Sequence, residues 1–282
     1  MEEYFLFAAG FIGTLMASIQ DMRKREIDNV LNFSLLILGL TYHAFNAIFS
    51  HNYTAFIYPA LGFLIFLVIG NLFYYSRMFA GGDAKLLIAL GPFIFIGNSL
   101  IQSLEYMFYF ILLFLIVGSI FGILYSAVIS LRNLKSFSKY FRQEISRKKS
   151  LLFISLGFFI IFLAVGFYID KIFLFLSFLF LVFPFLLVYA KAVEKAGMIK
   201  EIVYKKVREG DWLYKSVNIR SKTIKPSWQG LSKSDIALIK KAKKNVIIRE
   251  GIPFVPVIFI AYVLFMAYFF GWSNFGIAGL FG

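Results

Sequence analysis

Long apolar runs constrain this chain more than any other feature of its sequence. A helix needs about 20 apolar residues to cross the roughly 30 Å hydrocarbon core of a bilayer. Because 60% of the residues are hydrophobic, a water-facing fold could not bury them all. We therefore predict an all-α polytopic membrane protein with about eight transmembrane helices. The predicted spans are Tyr4–Gln20, Val30–Phe49, Thr54–Tyr75, Asp83–Ile101, Leu104–Leu131, Leu151–Ile169, Ile172–Ala190 and Pro253–Phe270.

The distribution of basic residues predicts the orientation of these spans. If the amino terminus lies outside, every Lys and Arg except Lys171 falls in an inner connection or, for Lys85, at the inner start of the fourth span. Basic residues stay on the cytoplasmic side during membrane insertion. Both termini are therefore predicted to lie outside the cell membrane. The same rule accounts for the net charge of +14 without nucleic acid as a partner.

This topology divides the chain into five predicted regions. They are a membrane core with five helices (1–131), a basic cytoplasmic loop (132–150), an extra transmembrane hairpin (151–190), a small basic cytoplasmic segment of α+β character (191–252), and the last transmembrane helix with an outer tail (253–282). Membrane lipids with anionic head groups are expected partners of the basic regions.

The residue types exclude several kinds of site. The chain has no cysteine, which rules out disulfides, a thiolate nucleophile and a cysteine zinc site. Its two histidines are far apart in sequence. We therefore expect no metal and no cofactor.

Two carboxylates at span ends are the candidate catalytic groups, because acidic residues are costly near hydrocarbon. Asp21 ends the first predicted span and Asp83 opens the fourth. The even number of crossings between them places both at the cytoplasmic face. Gly81 and Gly82 precede Asp83 and would free the backbone for close approach by another segment.

Neighbouring carboxylates can perform acid–base chemistry because they share one proton over a wide pH range. The ionised partner takes a proton from a water that attacks a peptide carbonyl. The protonated partner polarises that carbonyl and later protonates the leaving amine. These roles predict an aspartyl protease, but they leave open which carboxylate is the base.

Other functional hypotheses assign different roles to the same residues. In a proton-coupled membrane transporter, Asp21 and Asp83 would be proton relays, which favours mid-membrane acids and an internal repeat; the sequence has neither. A non-catalytic scaffold of an appendage assembly machine would tolerate Asn at both positions. A serine protease is a poorer match, since His43 lies in the second span without a recognisable serine motif.

Three segments resemble the archaeal type IV prepilin and preflagellin peptidases, which are membrane aspartyl proteases of the G-x-G-D type. Residues 80–87 (AGGDAKLL) resemble the second catalytic segment, residues 21–29 (DMRKREIDN) the first, and residues 249–256 (REGIPFVP) the entry to the last span. The resemblance implies catalysis by Asp21 and Asp83, with motif support from Gly81, Gly82 and Lys85.

Two departures accompany the resemblance. Ala80 stands where the motif has its first glycine, and the 151–190 hairpin is an addition to the family's usual spans. The implied activity is removal of a short basic leader from pilin-like or archaellin-like precursors. The cut would lie at the cytoplasmic surface, just before the hydrophobic helix of the precursor. A basic leader would be repelled by residues 191–252, so we do not expect it to dock there.

Overall fold

The structure is a computed structural model, and it describes residues 2–219 and 222–272. Helices dominate it. The helices are α1 (Glu2–Lys24), α2 (Asn29–Phe49), α3 (Thr54–Tyr75), α4 (Gly81–Ala89), α5 (Gly91–Ile94), α6 (Leu100–Arg132), α7 (Leu134–Arg147), α8 (Lys149–Tyr168), α9 (Ile172–Val193), α10 (Lys233–Lys241) and α11 (Val255–Trp272). The strands are β1 (Ile199–Ile202), β2 (Trp212–Leu213), β3 (Val217–Ile219), β4 (Lys222–Ile224) and β5 (Val246–Arg249).

Six helices in the described ranges are long and apolar enough to cross a membrane. They are α1, α2, α3, α6, α8 and α9, while α11 is apolar but shorter. The prediction of a helical, multi-pass membrane protein with a small region of sheet is confirmed, but the count of eight spans is not. The predicted outer tail beyond residue 272 lies outside the described residues.

The predicted span Asp83–Ile101 is wrong as a single transmembrane helix. The chain forms α4, turns at Leu90, forms one further helical turn as α5, and leaves helical geometry at Phe95. Pro92 lies at the start of α5, where its missing N–H would have no intrahelical acceptor. Proline inside a continuous helix would instead remove a hydrogen bond. The segment is therefore two short helices in series.

Protein surrounds this broken segment, which lies in the first of two compact units, Met1–Gly122 with Pro253–Gly282. Five of its apolar side chains are 0% exposed, namely Leu86, Leu90, Phe93, Ile94 and Phe95. From α2, His43 Nε2 hydrogen-bonds the Pro92 carbonyl oxygen at 2.9 Å. Irregular backbone at membrane depth is tolerated only where protein or water satisfies its polar groups. The apolar side chains that predict a lipid-facing span here are instead buried against protein.

The first and last described helices of this unit pack closely along each other. A Cβ atom on Gly10 of α1 would lie 2.2 Å from the Tyr262 hydroxyl of α11. One on Gly13 would lie 2.4 Å from a methyl group of Leu35 in α2. Small residues let helix backbones approach in this way. Gly10 and Gly13 are therefore packing residues of α1.

The second unit, Ile123–Ile252, contains the α8–α9 hairpin and the small sheets. An antiparallel sheet has the order β1-β5-β2, and β3 pairs with β4. Ser232 caps α10 with a reciprocal capping box, as its position before Asp235 indicates. Lys195 donates to the buried carboxylate of Glu144, and this hydrogen bond lowers the pKa of Glu144. This unit includes the mixed segment that the sequence places before the last helix.

We expect the contact between α3 and α5 to tolerate no extra methyl group. A Cβ on Gly91 would lie 2.7 Å from the backbone oxygen of Gly62, which a rotamer change cannot relieve. Gly91→Ala should therefore destabilise the protein by about 1–3 kcal/mol, as overpacking does. Gly122→Ala in α6 is the control, because no described atom beyond its chain neighbours and its own helix backbone lies within 4 Å of the added Cβ. Thermal unfolding in detergent measures both, and equal midpoints would contradict this packing.

Candidate active site

Asp21 lies in the last turn of α1 and is only 6% exposed. Its Oδ2 accepts a hydrogen bond from the backbone N–H of Val255 at 3.2 Å, and the N–H of Phe254 also donates to this carboxylate. Arg25, four residues further on, interacts with it electrostatically. The first N–H groups of a helix have no acceptor within it. Asp21 therefore satisfies the start of α11 from another helix.

Asp83 is the third residue of α4 and is partly exposed. The backbone N–H of Ala80, which precedes the helix, donates to its carboxylate. This is the acidic half of a capping box. Asp83 also interacts electrostatically with Asp21. The two predicted catalytic carboxylates are therefore near enough for their charges to interact.

Three contacts join the segments that carry these carboxylates. A Cβ atom on Gly82 would lie 3.4 Å from Cβ of Ile27. Asn32 Nδ2 donates to the Gly82 carbonyl oxygen at 3.4 Å, and Lys85 Nζ donates to Asn29 Oδ1 at 2.8 Å. Lys85, predicted as motif support, thus links the start of α4 to the start of α2.

Gly81 and Gly82 lie in the first turn of α4, and neither has a positive φ. A Cβ on Gly81 would be 3.7 Å from the Tyr74 ring, which is an ordinary contact. The 3.4 Å separation from Ile27 at Gly82 is also tolerable. Close approach of another segment is present, but this conformation does not require the backbone freedom of glycine.

Two polar groups of the site were not singled out from the sequence. The Asn32 side chain is 2% exposed, and its Oδ1 has no hydrogen-bond partner in the described part of the chain. Helical spacing could have identified Asn32 as a buried polar residue, because it shares the buried face of α2 with Leu35, Gly39 and His43. The backbone N–H of Val255 could not have been identified from the sequence, because it does not depend on the side chain.

Among described residues, no group of three or more His, Cys, Asp or Glu could hold a metal ion.

The sequence that forms this site is similar to that of known proteins. Residues 8–127 match the type IV leader peptidase family. The matched range contains both carboxylates and all three contacts between their segments. The resemblance predicted from the motifs is therefore confirmed.

Three archaeal relatives are each named a preflagellin peptidase. The protein from Methanocaldococcus jannaschii is 36% identical over 88 residues, which cover 31% of this chain and 37% of the relative. Those from Methanococcus maripaludis and Methanococcus voltae are 30% and 31% identical, covering 48% and 46% of this chain. The matches span 60% and 58% of those two relatives. No solved structure matches the chain significantly.

We expect Asn32→Leu to separate stability from activity. The substitution removes a buried oxygen that has no partner, so the midpoint of thermal unfolding should not fall. It also removes the contact with Gly82, beside a carboxylate, so cleavage of a leader-bearing precursor should slow by roughly tenfold or more. Asn71→Leu is the matched control, because among the described residues the Asn71 side chain hydrogen-bonds only the Leu67 carbonyl of its own helix. Full activity in Asn32→Leu would contradict a role at the site.

Proposed function

We propose that this protein is a membrane aspartyl endopeptidase of the cell membrane. It removes short basic leaders from type IV pilin-like or archaellin precursors at the cytoplasmic face. The observation that supports this proposal is the electrostatic interaction between Asp21, at the end of α1, and Asp83, at the start of α4. The family match and the names of the archaeal relatives support the same activity.

The site has the groups that hydrolysis of a peptide bond requires. One carboxylate takes a proton from water, whose oxygen attacks the scissile carbonyl carbon. The other carboxyl group hydrogen-bonds the carbonyl oxygen and protonates the leaving nitrogen. Buried N–H donors hold one carboxylate in place, while the partial exposure of the other leaves a side open to substrate.

The proposed location follows from chain topology and charge. Two long apolar helices, α2 and α3, separate Asp21 from Asp83 along the sequence, which favours one membrane face for both. The basic connections favour the cytoplasmic side. A precursor with a basic leader obeys the same insertion rule, so its cleavage site would lie at the depth of these carboxylates.

Transport is a weaker account of the same residues. Proton relays of transporters lie within the membrane and line a pathway. Here the carboxylates lie at the end of α1 and the start of α4, and both contact backbone N–H groups at helix termini. No specific observation favours the transporter or the scaffold reading.

We expect Asp21→Asn and Asp83→Asn each to abolish leader removal from a co-expressed prepilin-like precursor. Asparagine cannot take a proton from water or donate one as an acid, so processing should fall at least about a thousandfold. A gel-shift assay of the precursor, together with quantification of the membrane-inserted enzyme, measures this.

The matched control is Asp170→Asn, which changes an exposed carboxylate in the α8–α9 turn; in the part of the chain that the structure describes, this carboxylate bonds only the Ile172 N–H. This variant should process the precursor at the normal rate. Normal processing by either active-site variant would refute the proposed function.

A further inference from the structure

The two carboxylates of the site differ in the donors that surround them. Asp21 accepts hydrogen bonds from two backbone N–H groups, those of Val255 and Phe254. These groups lie at the amino end of α11, whose 18 residues direct the positive end of the helix dipole towards Asp21. Both features stabilise the ionised form of a carboxyl group.

Arg25 and Asp83 are the charged side chains that act on Asp21, and they act in opposite directions. Arg25, on its own helix, attracts its negative charge. From α4, Asp83 repels it, and Lys85 hydrogen-bonds Asn29. The other elements packed against α1 are α2, α5 and α11, and none of them contains Asp, Glu, Lys or Arg. Their one histidine, His43, hydrogen-bonds Pro92 in α5.

Fewer groups stabilise a negative charge on Asp83 than on Asp21. In the described residues its carboxylate accepts one backbone hydrogen bond, from Ala80, and the charge of Asp21 opposes its ionisation. Its helix, α4, has only 9 residues, so the aligned peptide dipoles behind it are fewer. When two adjacent carboxyl groups hold one proton, that proton resides on the less stabilised anion.

We infer that the amino end of α11 fixes the division of labour: Asp21 is the ionised base that activates water, and Asp83 carries the proton. This inference rests on the proposed function. Val255 is then a positioning residue, which acts on the reaction through its backbone N–H.

The roles give a balanced reaction. Asp21 takes one proton from water, and the hydroxide oxygen bonds to the scissile carbonyl carbon while Asp83 hydrogen-bonds the developing oxyanion. The carbonyl re-forms as the carbon–nitrogen bond breaks, and Asp83 gives its proton to the leaving nitrogen. The proton on Asp21 then passes to Asp83, which restores the starting state.

A proline at position 255 tests the inference, because it removes one N–H without adding a charge. Proline is accepted in the first turn of a helix. Val255→Ala is the matched control, since it keeps the N–H and loses the buried side chain. The measurement is kcat/KM against pH for both variants, with a purified precursor bearing a basic leader and a hydrophobic helix, in lipid nanodiscs.

We expect the acidic limb of the profile to move up by about one pH unit in Val255→Pro, because one hydrogen bond to a charged group is lost. In Val255→Ala the limb should stay at the wild-type pH, whatever the change in rate. If the acidic limbs of the two variants lie at the same pH, the assignment of Asp21 as the base is wrong.

A second variant tests the same inference if Val255→Pro does not accumulate in the membrane. Arg25 has a φ of 61°, a conformation that asparagine tolerates, so Arg25→Asn removes the nearby positive charge with little backbone strain. The acidic limb should again move to higher pH, and an unmoved limb would overturn the assignment. The proposed function has a separate test: it fails only if Asp21→Asn or Asp83→Asn still processes the precursor.

Discussion

The hydrogen bond between Asp21 and the start of α11 is the contact on which the site depends. An ionised carboxylate in apolar surroundings is costly unless donors or cations surround it, and the first N–H groups of a helix also need acceptors. In this unit each satisfies the other, at 3.2 Å between Val255 N and Asp21 Oδ2. The contact joins positions 21 and 255, so it also ties the ends of the unit's sequence together.

The second carboxylate, Asp83, is positioned by α4, a short helix that is not a regular membrane span. The short helix α4 begins at Gly81 and is followed by α5, whose large side chains are buried by the surrounding helices. Gly62 and Gly91 let α3 and α5 meet at backbone distance, and His43 binds the carbonyl of Pro92. A rigid, buried support of this kind holds a reactive group within the narrow tolerance that catalysis needs.

Patterns in the sequence predicted the proximity of Asp21 and Asp83 better than the architecture around them. Asp21 and Asp83 could be paired because spans are readable from length and apolarity, and because an even number of crossings returns the chain to one face. The fourth element was misread because hydropathy cannot distinguish a buried, broken helix from a lipid-facing one. Asn32 could have been found from helical spacing. The role of Val255 could not, because every residue except proline has the same backbone N–H.

The central claim is that the segments of Asp21 and Asp83 lie against each other in the membrane, and cross-linking tests it most directly. The chain has no cysteine, so a double variant carries only the two introduced thiols. In Ile27→Cys/Gly82→Cys the Cβ atoms would be 3.4 Å apart, close to the usual disulfide separation. Mild oxidation of native membranes should form an intramolecular disulfide in this variant, and none in Ile27→Cys/Gly122→Cys. Absence of the disulfide from the first pair would contradict the account.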